Sequence, residues 1–249
     1  MKNTFLSLAI TSAIASHALV FATEDNLVES IETITVNGDF SALALSELSQ
    51  SASVIDASTL QTRQAFHSED ILSGIANVNL SSGASRARFI QIRGIGERSQ
   101  FAEPINPSVG MTLDGLDISG LGALATIFDV AQGEVLRGPQ ATAHGANGLA
   151  GVVNFVSIAP SAEPQGYVRL GLAQDETLLV AAAYSQALSE SLNARVAFQQ
   201  YQSNGFVKNA YLQRDDTHDI KETNARLAFQ YQSSAQQAFT LNLFHGSVN

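Results

Sequence analysis

The stretch DVAQGEVLRGPQATAHGANGLAGVVN, residues 129–154, carries the strongest structural signal in the chain. Its Glu-Val-Leu-Arg run at 134–137 predicts a short strand, and Gly138-Pro139 predicts a forced turn directly after it. Gly145, Gly148 and Gly151 then allow close backbone packing before a second strand. Glycine-rich loops also cradle phosphates, but the Lys-Ser/Thr pair of a P-loop and the G-x-G-x-x-G pattern are both absent from the sequence. The stretch therefore favours a packed strand–turn–strand unit over a nucleotide site.

Apolar and polar residues alternate from Gln165 onward. The run NARVAFQ at 193–199 returns as NARLAFQ at 224–230, with one apolar and one polar face each time. The alternation predicts about five antiparallel strands of roughly the ~9 to 11 residues that cross a bilayer, at 166–173, 176–187, 192–202, 222–232 and 238–247. Short and long connections alternate between them, as in outer-membrane barrels. Periodicity alone leaves a soluble antiparallel sandwich equally open.

The N-terminus has the features of a secretory signal. Lys2 precedes an apolar run that ends at Phe21-Ala22, before the polar Thr23-Glu24-Asp25. We interpret residues 1–22 as a signal peptide cleaved after Ala22, with Ala18 as the alternative site. An N-terminal anchor helix is the competing interpretation, although the run is short for a membrane span. The mature chain is accordingly expected outside the cytoplasm.

Composition excludes several classes of protein. The 249 residues include 23 acidic and 13 basic side chains, a formal net charge of -10, which repels phosphate backbones, so nucleic acid is not an expected partner. The chain has no cysteine, so neither a disulfide framework nor a thiolate metal site is possible. The five histidines lack ligand spacing, and we therefore expect no metal site and no cofactor.

The region between signal and strands divides in two. Residues 23–47 are predicted to be a flexible tail with one β-prone segment, Thr33–Val36, closed by Asn37-Gly38. Residues 48–160 alternate short strands and helices with glycine turns, including a helix over Ser68–Ile75 with Ser68 as its N-cap. The predicted fold is a small α+β domain with a mixed sheet and short helices, followed over 161–249 by antiparallel β-strands.

The stretch at 129–154 resembles the plug domain of TonB-dependent outer-membrane receptors, which carries a Glu-Val-Leu-Arg-Gly-Pro-Gln run, later glycines and a strand that ends in Asn. Two further segments are similar in order and spacing: Ile92-Arg93-Gly94-Ile95-Gly96 and Leu113-Asp114-Gly115. The matching plug positions are Gly94, Gly96, Asp114, Gly115, Gly138, Pro139, Gln140, Gly145, Gly151 and Asn154. The sequence departs from the pattern at 131–133 and at Ala141, His144 and Ala150, a drift that leaves a divergent receptor and relaxed selection on the plug as the two interpretations.

The resemblance implies a transport mechanism. A plug inside an outer-membrane β-barrel occludes the pore, ligand binds from outside, and a TonB box faces the periplasm, where it pairs with TonB and the inner-membrane energising complex. Thr33, Ile34, Thr35 and Val36 stand where the family keeps this box. Arg93, Glu134 and Arg137 are the implied plug–barrel ion contacts, and Glu97, Arg98, Gln100 and Phe101 lie in the implied ligand loop. The implied ligand is a ferric siderophore or a similar chelate, and the barrel implies contact with outer-membrane lipid.

The strand count leads to a further expectation. A single-chain barrel needs about eight or more strands, and the family barrel has about twenty-two, whereas this sequence predicts about five. We therefore expect a truncated or fragmentary receptor. The alternatives are a plug remnant without transport, a ligand-binding module, or a soluble β-rich adhesin. An enzyme is not expected, because the sequence contains no G-x-S-x-G, no H-E-x-x-H and no cysteine nucleophile.

Overall fold

The computed structural model describes residues 34–38, 43–63, 65, 67–81, 89–98, 107–119, 128–205, 207, 209–213, 217, 219–234 and 236–248. These residues lie in one compact unit that begins at Ile34. Thr33, Gln100 and Phe101, and the whole predicted signal peptide, lie outside the described residues. None of the described helices is both long enough and apolar enough to cross a membrane.

A mixed five-stranded sheet forms the centre of the α+β domain, called the plug domain below after the resemblance described above, with strand order β3-β9-β10-β7-β8. Strands β10 and β7 are parallel, and the other neighbours are antiparallel. A three-stranded antiparallel sheet, β4-β5-β6, lies beside it, and a short hairpin, β1-β2, precedes it. The strands are β1 (Thr35–Val36), β2 (Leu43–Ala44), β3 (Ser51–Asp56), β4 (Val78–Ser81), β5 (Phe89–Ile92), β6 (Ile95–Gly96), β7 (Val109–Leu113), β8 (Leu116–Asp117), β9 (Val130–Arg137) and β10 (Gly151–Ser157).

Short helices cover one face of the plug sheet. The described helices are a 3-10 turn at Leu45–Glu47, α1 (Ala57–Thr62), α2 (Ser68–Leu72) and α3 (Ala141–His144). Asp56 caps α1, since its Oδ1 accepts the Thr59 N–H at 2.7 Å. The apolar core lies between the helices and the sheet, and its buried members include Leu60, Ile71, Leu72, Ile92, Met111, Val135, Val153 and Phe155.

Two details of the plug differ from the predictions. Helix α2 ends at Leu72 instead of Ile75, and His67 occupies the N-cap position that the sequence assigned to Ser68. Ser68 lies inside the helix and is buried, while the Asp70 carboxylate accepts the His67 N–H at 3.0 Å. The Asp70 carboxylate in the first turn therefore bonds the backbone N–H of His67, and the helix begins after His67 instead of after Ser68.

Five long antiparallel strands follow the plug domain, and the predicted strand positions are confirmed. They form one sheet in chain order: β11 (Gln165–Ala173), β12 (Thr177–Ser189), β13 (Leu192–Ser203), β14 (Ile220–Ser234) and β15 (Gln237–Val248). Successive side chains alternate between the two faces, as the period of two requires. One face is buried and carries small or polar residues, among them Ala181, Ala183, Ser185, Arg195, Ala197 and Ala228. The opposite face exposes apolar side chains, among them Val168, Leu170, Tyr184, Val196, Phe198, Leu227 and Leu241.

Candidate functional site

A buried ion cluster joins the plug domain to the strand sheet. Asp129, which immediately precedes β9, accepts hydrogen bonds from Arg195 Nε at 2.8 Å and from Arg226 Nη1 at 2.7 Å. All three residues are nearly inaccessible to solvent. Charge-assisted bonds of this kind are stronger than neutral ones, and removal of one partner leaves a buried charge uncompensated. Asp129 therefore ties the start of β9 to β13 and β14.

The cluster continues into a wider polar network. Arg226 also donates to the Ile158 carbonyl at 2.8 Å and to Asn242 Oδ1 at 3.0 Å. Asn242 Nδ2 in turn donates to Asp114 Oδ2 at 3.3 Å, and Asp114 Oδ1 accepts the Ser157 N–H at 2.8 Å. Asp114 lies in the tight turn between β7 and β8. The predicted Asp-Gly position is thus one of the contacts between plug and strands.

Sequence reasoning missed the roles of Asp129, Arg195 and Arg226. A usable signal was present, because the repeated Asn-Ala-Arg places an arginine on the polar face of both β13 and β14. The two arginines lie on neighbouring strands, where Ala197 pairs with Arg226 and Arg195 pairs with Ala228. Asp129 supplies the shared carboxylate at a separation of 66 residues from Arg195 and 97 from Arg226. Distances of that size along the chain are invisible to local periodicity.

Arg93 and Arg137 lie near each other, on the opposite face of β9 from Glu134. Arg137 Nη2 donates to Ser53 Oγ at 2.8 Å and to the Ala76 carbonyl at 3.1 Å. Burial, and then the positive charge of Arg93, lowers the pKa of Arg137 from its ordinary value. The Nε of Arg137 is buried and has no hydrogen-bond partner within the described part of the chain. That these two arginines form ion pairs with the barrel stays a prediction.

Glu134 binds the segment Ile34–Gly38, which we call the N-terminal segment. The fully buried carboxylate accepts the Asn37 N–H at 2.8 Å and the Gly38 N–H at 2.7 Å. It also accepts the side-chain amides of Asn154, at 3.0 Å, and Gln132. The sequence predicts a flexible tail through residue 47, whereas the structure places the N-terminal segment against the plug sheet because Glu134 and its neighbours satisfy the backbone there.

The Glu97 carboxylate closes the base of the predicted ligand loop. Its Oε1 accepts the Ser108 N–H at 3.0 Å and the Ser108 hydroxyl at 2.8 Å. Glu97 and Arg98 are exposed or half-exposed at the start of the loop, while Gln100 and Phe101 are not described. The ligand role of these four residues stays a prediction. In the described portions of the chain, no group of three or more His, Asp or Glu side chains is placed to hold a metal ion.

The remaining motif glycines lie in three turns of the plug: after β5, after β7 and between β9 and β10. Gly151 is the clearest requirement for glycine, since a Cβ there would lie 2.3 Å from the Leu136 carbonyl oxygen on the paired strand. The Gln140 N–H donates to the Gly148 carbonyl at 2.7 Å, which closes the loop between β9 and β10. Gly94, Gly96, Gly115, Gly138 and Gly145 all lie in turns or at strand ends with positive φ. The Gly151 and Gly148 contacts hold β10 and the intervening loop against β9.

Comparison with known proteins agrees with this architecture. Residues 44–152 match the family model described as the TonB-dependent receptor plug domain. The pesticin receptor of Yersinia enterocolitica is 27% identical over 128 residues, which are 51% of this chain and 19% of the receptor. The vitamin B12 transporter BtuB of Vibrio vulnificus is 23% identical over 218 residues, 88% of this chain and 35% of the transporter.

A solved structure shares the fold. The ferric yersiniabactin uptake receptor FyuA of Yersinia pestis superimposes with a TM-score of 0.72 at 20% sequence identity, over 79% of this chain and 31% of the receptor. The chain thus spans between a fifth and about a third of the length of these relatives.

Proposed function

We propose that this chain, whose residues 44–152 match the model of the TonB-dependent receptor plug domain, serves TonB-dependent active uptake of a ligand across the Gram-negative outer membrane. The buried Asp129–Arg195–Arg226 cluster carries this proposal. It attaches a plug to strands whose opposite face is apolar and exposed, which is the arrangement of a barrel wall in lipid with a plug in its lumen. The proposed location is the outer membrane, with the N-terminal segment on the periplasmic side.

We propose a ferric siderophore or a similar chelate as the ligand. The support is that the chain is similar to a vitamin B12 transporter in sequence and to a ferric yersiniabactin uptake receptor in fold. Glu97, Arg98, Gln100 and Phe101 are the proposed ligand contacts, on the loop whose base Glu97 and Ser108 close. Loops held by a rigid scaffold are where ligand contacts concentrate.

Thr33–Val36 is proposed as the TonB box. An extended segment can add as a strand to the sheet of a partner, and such pairing depends on backbone groups more than on side chains. Residues Thr35–Val36 are already extended as β1, and the Ile34 carbonyl accepts the Leu45 N–H at 2.8 Å. TonB, with the inner-membrane energising complex, is the proposed partner.

Of the three predicted plug–barrel charges, we propose that Arg93 and Arg137 face the remaining barrel wall, whereas Glu134 is fully buried. The support for the two arginines is electrostatic: the charge of the exposed Arg93 acts on the buried Arg137, and an acidic partner would offset both positive charges. For Glu134 the described contacts lie within the plug and the N-terminal segment. A barrel carboxylate opposite Arg93 and Arg137 is therefore the partner we expect.

The test is energised uptake in a Gram-negative host that lacks its own ferric-siderophore receptors. The receptor containing this chain should accumulate radiolabelled ferric siderophore in a host with TonB and not in the isogenic host without it. Ile34→Pro should abolish uptake while ligand binding persists, because proline removes a backbone N–H and resists strand addition. Ile34→Ala is the matched control and should retain uptake within about twofold. Equal uptake by Ile34→Pro, or uptake without TonB, would overturn the proposal.

A further inference from the structure

The carboxylate of Glu134 occupies a backbone nest made by the N-terminal segment. Consecutive N–H groups of Asn37 and Gly38 point at its two oxygens, at 2.8 and 2.7 Å. Successive backbone N–H groups that converge in this way form an anion-binding concavity. The anion here is a fully buried side chain from β9, 96 residues away from Gly38 in the chain. The contact is therefore a long-range tie between the plug sheet and the N-terminal segment.

A second side chain of β9, that of Gln132, also contacts the N-terminal segment. Gln132 Nε2 donates to the Thr35 carbonyl at 2.9 Å and also reaches Glu134. The opposite edge of β1 is paired with β2, Thr35 with Ala44 and Val36 with Leu43. Val36 between these contacts is completely buried. One edge of β1 is thus paired with β2 and the Thr35 carbonyl of the other edge is occupied by Gln132, so a partner strand must displace β2 or Gln132 to pair with β1.

The donors that surround Glu134 are neutral. In the part of the chain that the structure describes, its hydrogen bonds come from backbone and side-chain amides of the N-terminal segment, Gln132 and Asn154. A buried carboxylate is costly unless it is well hydrogen-bonded, so loss of two of its strongest donors is strongly unfavourable. Because the buried carboxylate of Glu134 requires these hydrogen bonds, it keeps the N-terminal segment in place.

We propose that Glu134 is a positioning residue that keeps the N-terminal segment docked on the plug and withholds its strand edge from a partner. The part of this inference that concerns TonB rests on the proposed function; the docking itself does not. Release of the segment must uncap Thr35, expose Val36 and remove two donors from Glu134 together. Whether the N-terminal segment can pair with a partner strand therefore depends on Glu134 and Gln132 of β9 as well as on the segment itself.

Thiol labelling in the cysteine-free chain tests the docking. Val36→Cys reports on the N-terminal segment, and Val153→Cys, buried in the core, reports on the plug sheet. Two variants disrupt the contact between Glu134 and the N-terminal segment, one on each partner. Glu134→Ala removes the acceptor. Gly38→Ala leaves Glu134 intact but places a Cβ 2.8 Å from its Oε2 and 2.9 Å from Leu136 Cδ1. Maleimide labelling rates are measured on the full chain in membranes of the expressing cells, without ligand.

Each variant is expected to raise the labelling rate of Val36→Cys at least about tenfold, while Val153→Cys stays protected. Rates at Val36→Cys within twofold of the parent in both variants would overturn the proposal. An equal rise at Val153→Cys would also overturn it, because Glu134 would then maintain the whole plug sheet. The assay involves neither TonB nor transport, so its failure is distinguishable from failure of the uptake experiment.

Discussion

At the scale of single residues, Asp129 has the largest expected effect on the attachment of the plug. One carboxylate compensates two buried guanidinium groups, Arg195 and Arg226. Replacement of both partners of a buried pair by apolar groups can be harmless, but removal of one partner costs about 3–5 kcal/mol. Here the removal of Asp129 leaves two uncompensated charges, so the cost lies at the upper end.

Asp129→Asn should therefore lower the free energy of unfolding by about 3–5 kcal/mol. The measurement is the urea unfolding midpoint of the full chain in detergent micelles, followed by far-UV circular dichroism. Glu163→Gln removes an exposed carboxylate from the linker before β11 and should change stability by less than about 0.5 kcal/mol. Equal midpoints for the two variants would show that the Asp129 cluster does not hold the plug.

At the scale of elements, β9 is the strand around which the plug is organised. It pairs with β3 on one side and with β10 on the other. Its alternate faces present Glu134 to the N-terminal segment and Val135 to the core. The close approach of β10 at Gly151 fixes the register of this pairing, since Gly151 lies opposite Arg137 and its Cα faces the Leu136 carbonyl.

Gly151→Ala should destabilise the plug by about 1–3 kcal/mol, because the added methyl would lie 2.3 Å from the Leu136 carbonyl oxygen, which is backbone, as well as 2.7 Å from Ile92 Cδ1. Gly246→Ala in β15 is the matched control, since the nearest atom to its added Cβ is the Asn224 side-chain oxygen at 3.3 Å. It should cost less than about 0.5 kcal/mol. Native-state proteolysis of the plug reports the difference, and a tolerated Gly151→Ala would contradict the register described here.

At the scale of the whole molecule, the two faces of the sheet β11–β15 differ in polarity. The buried face packs small and polar side chains against the plug, and the exposed face is a continuous apolar surface across β11 to β15. In lipid, a charge in the middle of such a surface is destabilising by about 2–4 kcal/mol and near the ends by about 0–1 kcal/mol.

Val196→Lys places a charge in the apolar face of β13, between Tyr184 and Leu227 on the neighbouring strands. It should reduce folding into lipid vesicles by about 2–4 kcal/mol. Gln186→Lys, on the same face of β12 at an already polar position near the strand end, should cost about 0–1 kcal/mol. Folded fractions are read from heat-dependent gel mobility. Indistinguishable folded fractions would argue against lipid contact at this face.

Local patterns in the sequence were sufficient for the strands and insufficient for the contacts between them. A period of two is written into each strand, so β11 to β15 could be placed to within about two residues. The two arginines bound by Asp129 and the Asn37 N–H bound by Glu134 are separated from these carboxylates by 66 to 97 residues, and only the fold selects which carboxylate meets which donor. For α2, the predicted cap failed because Asp70 satisfied the preceding N–H.

The spacing of Asp129 and Glu134 along β9 has a mechanical consequence. A pull on Ile34 loads the β1–β2 pairing and the Gln132–Thr35 bond first, and then the Asn37 and Gly38 bonds to Glu134. The load then passes along β9, over about 17 Å of extended backbone, to the arginines of β13 and β14. Strand β9 thus transmits the force from the N-terminal segment to β13 and β14. We expect the weaker end, at Glu134, to yield before the anchored end at Asp129.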